Sequence, residues 1–203
     1  MIKTQLYAKL TNYNFASLFK RKGYVYFTDG DYNLNIIGIR SNNNNVVTNE
    51  FDDFIVVTYK LPNGNWTKMI FSATTEPGIT YMHNPMNGKG TAILPEGQYR
   101  GCFKVGLHKG KYKALVQYKP ITVYRDGNRD DKYDLNPATF DKGMFGINIH
   151  KAGIASKRVD NWSAGCQVIA SDAEFKSFMS LVTKSAAKYG DKFTYTLINE
   201  KDL

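Results

Sequence analysis

Two residues within a short span of this chain combine a nucleophile with a base. Residues 148–170 read NIHKAGIASKRVDNWSAGCQVIA, with a histidine closing an apolar alternating run and a cysteine in Ser-Ala-Gly-Cys. The whole chain has three histidines and two cysteines. Taken singly, a cysteine is most often a small buried hydrophobe, and a histidine on a strand is usually a satisfied core or surface group. A Cys102–Cys166 disulfide is a further alternative, disfavoured for two distant cysteines in a cytoplasmic chain.

The local context favours chemistry. Alternation in FGINIH sets Ile147 and Ile149 on one face and Asn148 and His150 on the other, so the imidazole is expected to point away from the core. Ala164 and Gly165 precede Cys166, and Gly165 lets the backbone approach a substrate closely. A thiolate is the attacking species, and a neighbouring imidazole lowers the thiol pKa and later protonates a leaving amine. The N–H groups of Gly165 and Cys166 are placed to stabilise an oxyanion.

This stretch resembles the active-site motif of the L,D-transpeptidase (YkuD-like) catalytic domain family: a histidine, a spacer, then Ser/Thr-x-Gly-Cys. His150, Ser163, Gly165 and Cys166 match by position. Upstream, FSATTEPG followed by TAILPEGQYRG resembles the family's Ser/Thr-rich strand and its Thr-Pro-x-Gly-x-Tyr/Phe signature, with Pro95, Gly97 and Tyr99 matching. The resemblance covers roughly residues 50–170. The position before Gly is often histidine in the family and is Ala164 here. The family's apolar residue followed by Arg or Asn after the cysteine is replaced by Gln167 and Val168. Gln167, Arg158 or Asn161 therefore stand in as substrate contacts, with Asn148, Trp162 and His108 as further candidates lining the cleft. The resemblance also implies that a backbone carbonyl near the histidine serves as the third catalytic element. The implied activity is cysteine-dependent acyl transfer or hydrolysis on peptidoglycan stem peptides, with no cofactor and no metal. The alternative is a non-catalytic structural or wall-binding module that keeps the fold.

The elements that must position these residues are mostly strands. The chain has 203 residues, enough for a single domain, with 14 tyrosines and 12 phenylalanines leaning towards β structure. The expected fold is mainly β (β-rich α+β): an L,D-transpeptidase-like sandwich or barrel with a short N-terminal helix and one longer helix after Cys166. The first 45 or so residues are either an extension or integral to that domain. An opening strand and a helix capped by Asn14 and stopped by Gly23 are expected first, then strands at YVYFT, NLNIIGIR, DFIVVTYKL and WTKMIFSATT. The last two of these runs read as a hairpin about Asn63-Gly64. Strands GQYRGCFKVGLH, YKALVQYK, ITVYRD and MFGINIH follow. A helix begins at Ser171 or Asp172 and stops at Gly190, and KFTYTLI is the last strand. Regular βαβ alternation is missing, which argues against a doubly wound parallel sheet.

The net charge of +9 favours polyanions, here an anionic cell-wall polymer, since no nucleic-acid motif accompanies the lysines. No signal peptide and no membrane span is read from the sequence. Synthesis in a cytoplasm is expected, with access to the wall through host lysis or delivery by a particle, as for a phage lysin or virion enzyme. DGNRDDKYD (Asp126 to Asp134) matches part of a calcium-loop pattern but lacks its Gly and final Glu, which favours an acidic turn.

Overall fold

The computed structural model describes residues 3–154 and 156–203. In chain order the elements are α1 (Lys3–Asn12), α2 (Phe15–Lys22), β1 (Asn35–Arg40), β2 (Asp53–Lys60), β3 (Trp66–Thr74), α3 (Ile79–His83), β4 (Thr91–Ile93), β5 (Gly97–His108), β6 (Tyr112–Gln117), β7 (Ile121–Asp126), β8 (Asp141–Gly143), β9 (Ile149–Lys151), β10 (Gln167–Ile169), α4 (Asp172–Tyr189) and β11 (Lys192–Asn199). Eight strands close a barrel in the order β1-β11-β5-β6-β9-β10-β3-β2, and β4, β7 and β8 form a separate small sheet. The mainly β expectation holds. Two barrel pairs, β1–β11 and β9–β10, are parallel; the others are antiparallel.

Alternation builds the barrel wall. On β2, Ile55 and Val57 join the main core, while Phe54 and Val56 face the opposite way and pack with Leu6, Leu10, Phe15, Leu18 and Phe19 of α1 and α2. Both faces of β1 and β2 are therefore buried, and the N-terminal region is integral to the fold rather than an extension. The Asn14 cap and Gly23 stop of α2 are as expected, with Asn14 Oδ1 accepting the Ser17 N–H at 3.3 Å. The opening strand is instead the helix α1, whose Leu6 and Leu10 lie at i, i+4 on its buried face.

The strand expected at YVYFT is also absent, for a specific reason. This segment is tied by side-chain amides instead of a ladder. Gln98 accepts the Val25 N–H at 3.0 Å and donates to the Val25 carbonyl at 2.8 Å. Asn35 does the same for Phe27, at 2.7 and 3.0 Å. The MFGINIH strand shrinks to Ile149–Lys151. The Asn63-Gly64 hairpin and the Ser171-capped, Gly190-terminated α4 form where expected.

Inside the barrel, Tyr195 reaches towards β1, where a Cβ at Gly38 would sit 1.8 Å from its hydroxyl oxygen, so only glycine fits there. Where β1 ends, β2 begins and β3 ends lies a buried charged cluster. Arg40 pairs with Glu76 at 3.2 Å and donates to the Thr75 and Leu94 carbonyls at 3.0 Å each. Asp53 accepts the Ser41 and Thr75 N–H groups at 2.7 Å each and the Thr75 hydroxyl at 2.8 Å. Among the described residues no helix is long and apolar enough to cross a membrane.

Candidate active site

The parallel β9–β10 pair brings the histidine and cysteine segments together. Its register sets Gln167 opposite Ile149 and Val168 opposite His150, so Cys166, one residue before β10, falls beside Asn148. A parallel pair needs a long crossover, and residues 152–166 provide it. This is why the two residues are distant in sequence. Ile149 and Ile169 face the barrel core, and Val168 faces away from it into a smaller cluster with Phe51 and Val159. By alternation Cys166 and His150 share that outer side, as the FGINIH pattern predicts.

Cys166, His150, Asn148, His108, Asn161 and Trp162 line one cleft of about 270 Å3, together with Lys109 and Gly146. The Cys166 thiol donates to the Gly146 carbonyl at 3.4 Å, and its sulfur accepts the Asn148 N–H at 3.4 Å. Among the described residues no hydrogen bond joins this sulfur to an imidazole. Burial pushes the thiol pKa up, against a smaller opposing pull from the Asn148 N–H and Lys109. The expectation that His150 lowers the thiol pKa is therefore corrected for the resting protein. The resting thiol is neutral.

His150 is a neutral imidazole with one ring nitrogen open to a proton, and burial makes it a weak base in the resting protein. Its Nδ1 lies 2.9 Å from the Lys151 carbonyl, which can only accept, so the proton sits on Nδ1 and Nε2 is left bare. The carbonyl of the next residue thus fixes the tautomer of the ring. The Tyr112 hydroxyl lies 3.5 Å from the same nitrogen. The His150 ring stacks on that of His108, with centroids 4.0 Å apart and planes 22° from parallel. Asn148 fixes the second imidazole in turn. Its Oδ1 accepts the Gln117 N–H at 2.9 Å, so its Nδ2 must donate to His108 Nδ1, 3.1 Å away. Burial, followed by His108, pulls the His150 pKa from 6.5 down to about 3.

This depression makes stability depend on pH. The unfolded chain takes up the proton as pH falls below about 6.5, whereas the native protein does so only near 3. Stability associated with His150 is thus fully present above the unfolded value and is lost as pH falls towards the folded one. The slope is up to about 1.4 kcal/mol per pH unit. Denaturant titrations between pH 7 and pH 4 should show a shallower loss in His150→Gln than in the parent. Equal slopes would place the imidazole in a more solvated setting.

The loop before Cys166 is built by Ser163. Its hydroxyl donates to the Cys166 carbonyl at 2.8 Å and accepts the Gly165 N–H at 3.2 Å. Gly165 has φ +120°, and a Cβ there would lie 2.4 Å from the Ala92 carbonyl oxygen. Ser163 and Gly165 therefore shape the loop before Cys166. This corrects the expectation for Gly165, whose N–H is already bonded to Ser163, while among the described residues the Cys166 N–H has no hydrogen-bond acceptor.

Two substrate-contact expectations are corrected as well. Gln167 is fully buried in the barrel, where its Oε1 accepts the Tyr195 hydroxyl at 2.7 Å and its Nε2 donates to the Gly165 carbonyl at 3.2 Å. It braces the loop and does not face the cleft. Arg158 lies on the surface, bridged through its backbone to Glu50, outside the cleft lining. His83 is likewise on the surface, 2.7 Å from Asp131. Cys102 is half-buried against the main core, and both cysteines are free thiols. The acidic turn is bonded partly to itself: Asp126 Oδ2 accepts the Asp134 N–H at 2.8 Å and Asn128 donates to Asp134 at 3.0 Å, while Asp126 Oδ1 is buried without a partner among the described residues. Among the described residues no group of three or more potential ligands is gathered to hold a metal.

Tyr112, Lys109 and the Gly146 carbonyl were not singled out by the sequence. Tyr112 was within reach: Lys109-Gly110 is a tight turn with two positive φ angles, which sets Tyr112 opposite His108 across the β5–β6 hairpin. Comparisons with family models, curated proteins and solved structures find no match to this chain.

Proposed function

We propose that the protein is a cysteine acyltransferase or hydrolase acting on peptidoglycan stem peptides, an L,D-transpeptidase-like enzyme. The observation that carries the proposal is the single cleft that holds the Cys166 thiol and a neutral His150 anchored through Nδ1 to a backbone carbonyl. The sequence resemblance supplies the substrate class, and the β barrel is compatible with it.

The chemistry follows from the protonation states. On substrate binding the thiol leaves the Gly146 carbonyl and gives its proton to His150 Nε2 as sulfur adds to the carbonyl of the third stem residue. The tetrahedral oxyanion takes a hydrogen bond from the Cys166 N–H. The C–N bond to the D-amino acid breaks, and the departing amine takes the proton from Nε2, leaving a Cys166 thioester. An amine, or water, then adds to the thioester with His150 again accepting the proton. The proton returns to sulfur as the C–S bond breaks, giving a cross-link or a free carboxylate.

Purified tetrapeptide muropeptides, with and without an added D-amino acid, test the assignment. Release of the terminal D-amino acid, with exchange when acceptor is present, is the expected result; no change in the muropeptide under either condition would overturn it. A wall-binding module is the second reading, favoured by the sulfur's bonds to Gly146 and Asn148 in place of an imidazole. It would retain wall binding and give no product. The charge of +9 suits anionic wall polymers under either reading.

A further inference from the structure

A second cavity, larger than the cleft at about 500 Å3, lies between the α1–α2 connection and the β2–β3 hairpin. Its lining combines ring faces with neutral polar groups. Trp66 is 45% exposed, an unusual position for an indole, and stands 5.4 Å from the Tyr26 ring at 31°. The Tyr26 hydroxyl is tied to Thr58 at 2.7 Å, which fixes that ring in place. Asn12 and Thr67 also line the cavity, and among the described residues their side chains have no hydrogen-bond partner.

The charges decide the ligand class. No carboxylate lines this groove. Its one lysine, Lys68, is already bonded to the Leu10 and Tyr13 carbonyls at 3.1 and 2.9 Å. The groove therefore offers a neutral ligand two features: aromatic faces, and amide or hydroxyl partners held without one of their own. The one other ammonium recorded against these rings, Lys60, lies over Trp66 at 5.5 Å from the ring centroid, outside the lining, and a ligand stacking on that face displaces it. A pyranose ring has the matching chemistry, with an apolar C–H face to stack on the indole and equatorial hydroxyl and acetamido groups to meet Asn12 and Thr67. Exposed aromatics combined with a few placed polar groups are the usual composition of a ligand site.

We propose that this groove binds a saccharide, specifically a strand of β-1,4-linked N-acetylhexosamine. The saccharide class rests on the groove alone; the choice of a wall glycan rests on the function proposed above. Trp66 begins β3 and Thr74 ends it, paired with Val168 just after Cys166. At about 3.3 Å per residue the groove lies about 26 Å from the nucleophile segment. Holding the glycan there raises the local concentration of its stem peptides at the cleft.

The test is calorimetric titration of the full chain carrying Cys166→Ala with the β-1,4-linked N-acetylglucosamine hexamer. Saturable binding is expected, weakened at least tenfold by Trp66→Ala and far less by Trp66→Tyr, and insensitive to added salt because no ion pair forms. Asn12→Ala and Thr67→Ala should each weaken it too, which gives a readout independent of the tryptophan. No saturable binding, binding that survives Trp66→Ala, or binding that falls steeply with salt would overturn the proposal. The probe carries no stem peptide and the protein no nucleophile, so failure here and failure of the Cys166 assignment are separate results.

Discussion

Cys166→Ala should abolish muropeptide turnover, by at least about a thousandfold, while leaving folding intact. A methyl group cannot form the thioester. The residue is half-buried, its two hydrogen bonds, to Gly146 and Asn148, are long at 3.4 Å each, and it packs at the margin of the small Phe51–Val159 cluster, so truncation should change stability by about 1 kcal/mol. His150→Gln should reduce turnover by about a hundred- to ten-thousand-fold, because it removes the cleft imidazole to which the proposed mechanism assigns the thiol proton. Its effect on resting thiol reactivity should be small. The thiol is neutral whether or not His150 is present, so alkylation at neutral pH should change little between parent and variant. Steady-state release of the D-amino acid checks both substitutions, and full activity in either would remove that residue from the catalytic pair.

Arg40→Met should be the most destabilising single change, costing about 3–5 kcal/mol at neutral pH. The guanidinium is buried, and its loss leaves Glu76 without its ion pair and the Leu94 carbonyl without its donor, while the Thr75 carbonyl loses one of two donors and Asp53 a nearby compensating charge. Burial already lifts the Asp53 and Glu76 carboxyls above their ordinary range, and the arginine opposes the rise. Without it both carboxyls rise further, so the deficit should be largest at high pH and shrink as acid protonates them. The Thr75 carbonyl also accepts from Gln167 Nε2 at 3.4 Å. Damage at Arg40 should therefore reach the loop before Cys166 as well. Denaturant unfolding at two pH values checks the magnitude and the sign, and a variant as stable as the parent would contradict the cluster's structural role.

Local rules made much of the barrel legible. The Asn63-Gly64 turn, the Asn14 and Ser171 caps and the glycine stops act within a few residues, so their consequences are visible in sequence. The outward placement of His150 followed from strand alternation alone. The same parity rule, applied one residue past the cysteine, puts Gln167 on the Ile169 face and inside the barrel; the family pattern obscured it. What stayed hidden depends on tertiary partners. Nothing local to YVYFT shows that Gln98 and Asn35 will replace its ladder. Nothing local to Ser163 shows that its hydroxyl will take the Gly165 N–H and so remove one oxyanion donor. The closeness of His150 and Cys166 itself depends on a three-residue parallel pairing, too short to mark as strands by composition.

Intact-protein mass spectrometry after mixing with tetrapeptide muropeptides and rapid acid quench tests the central claim most directly. The account predicts a mass increase equal to the muropeptide acyl group without its terminal D-amino acid, located by digestion to the Cys166 peptide and absent from Cys166→Ala. Product formed with no adduct, an adduct on Cys102, or neither adduct nor product would contradict it.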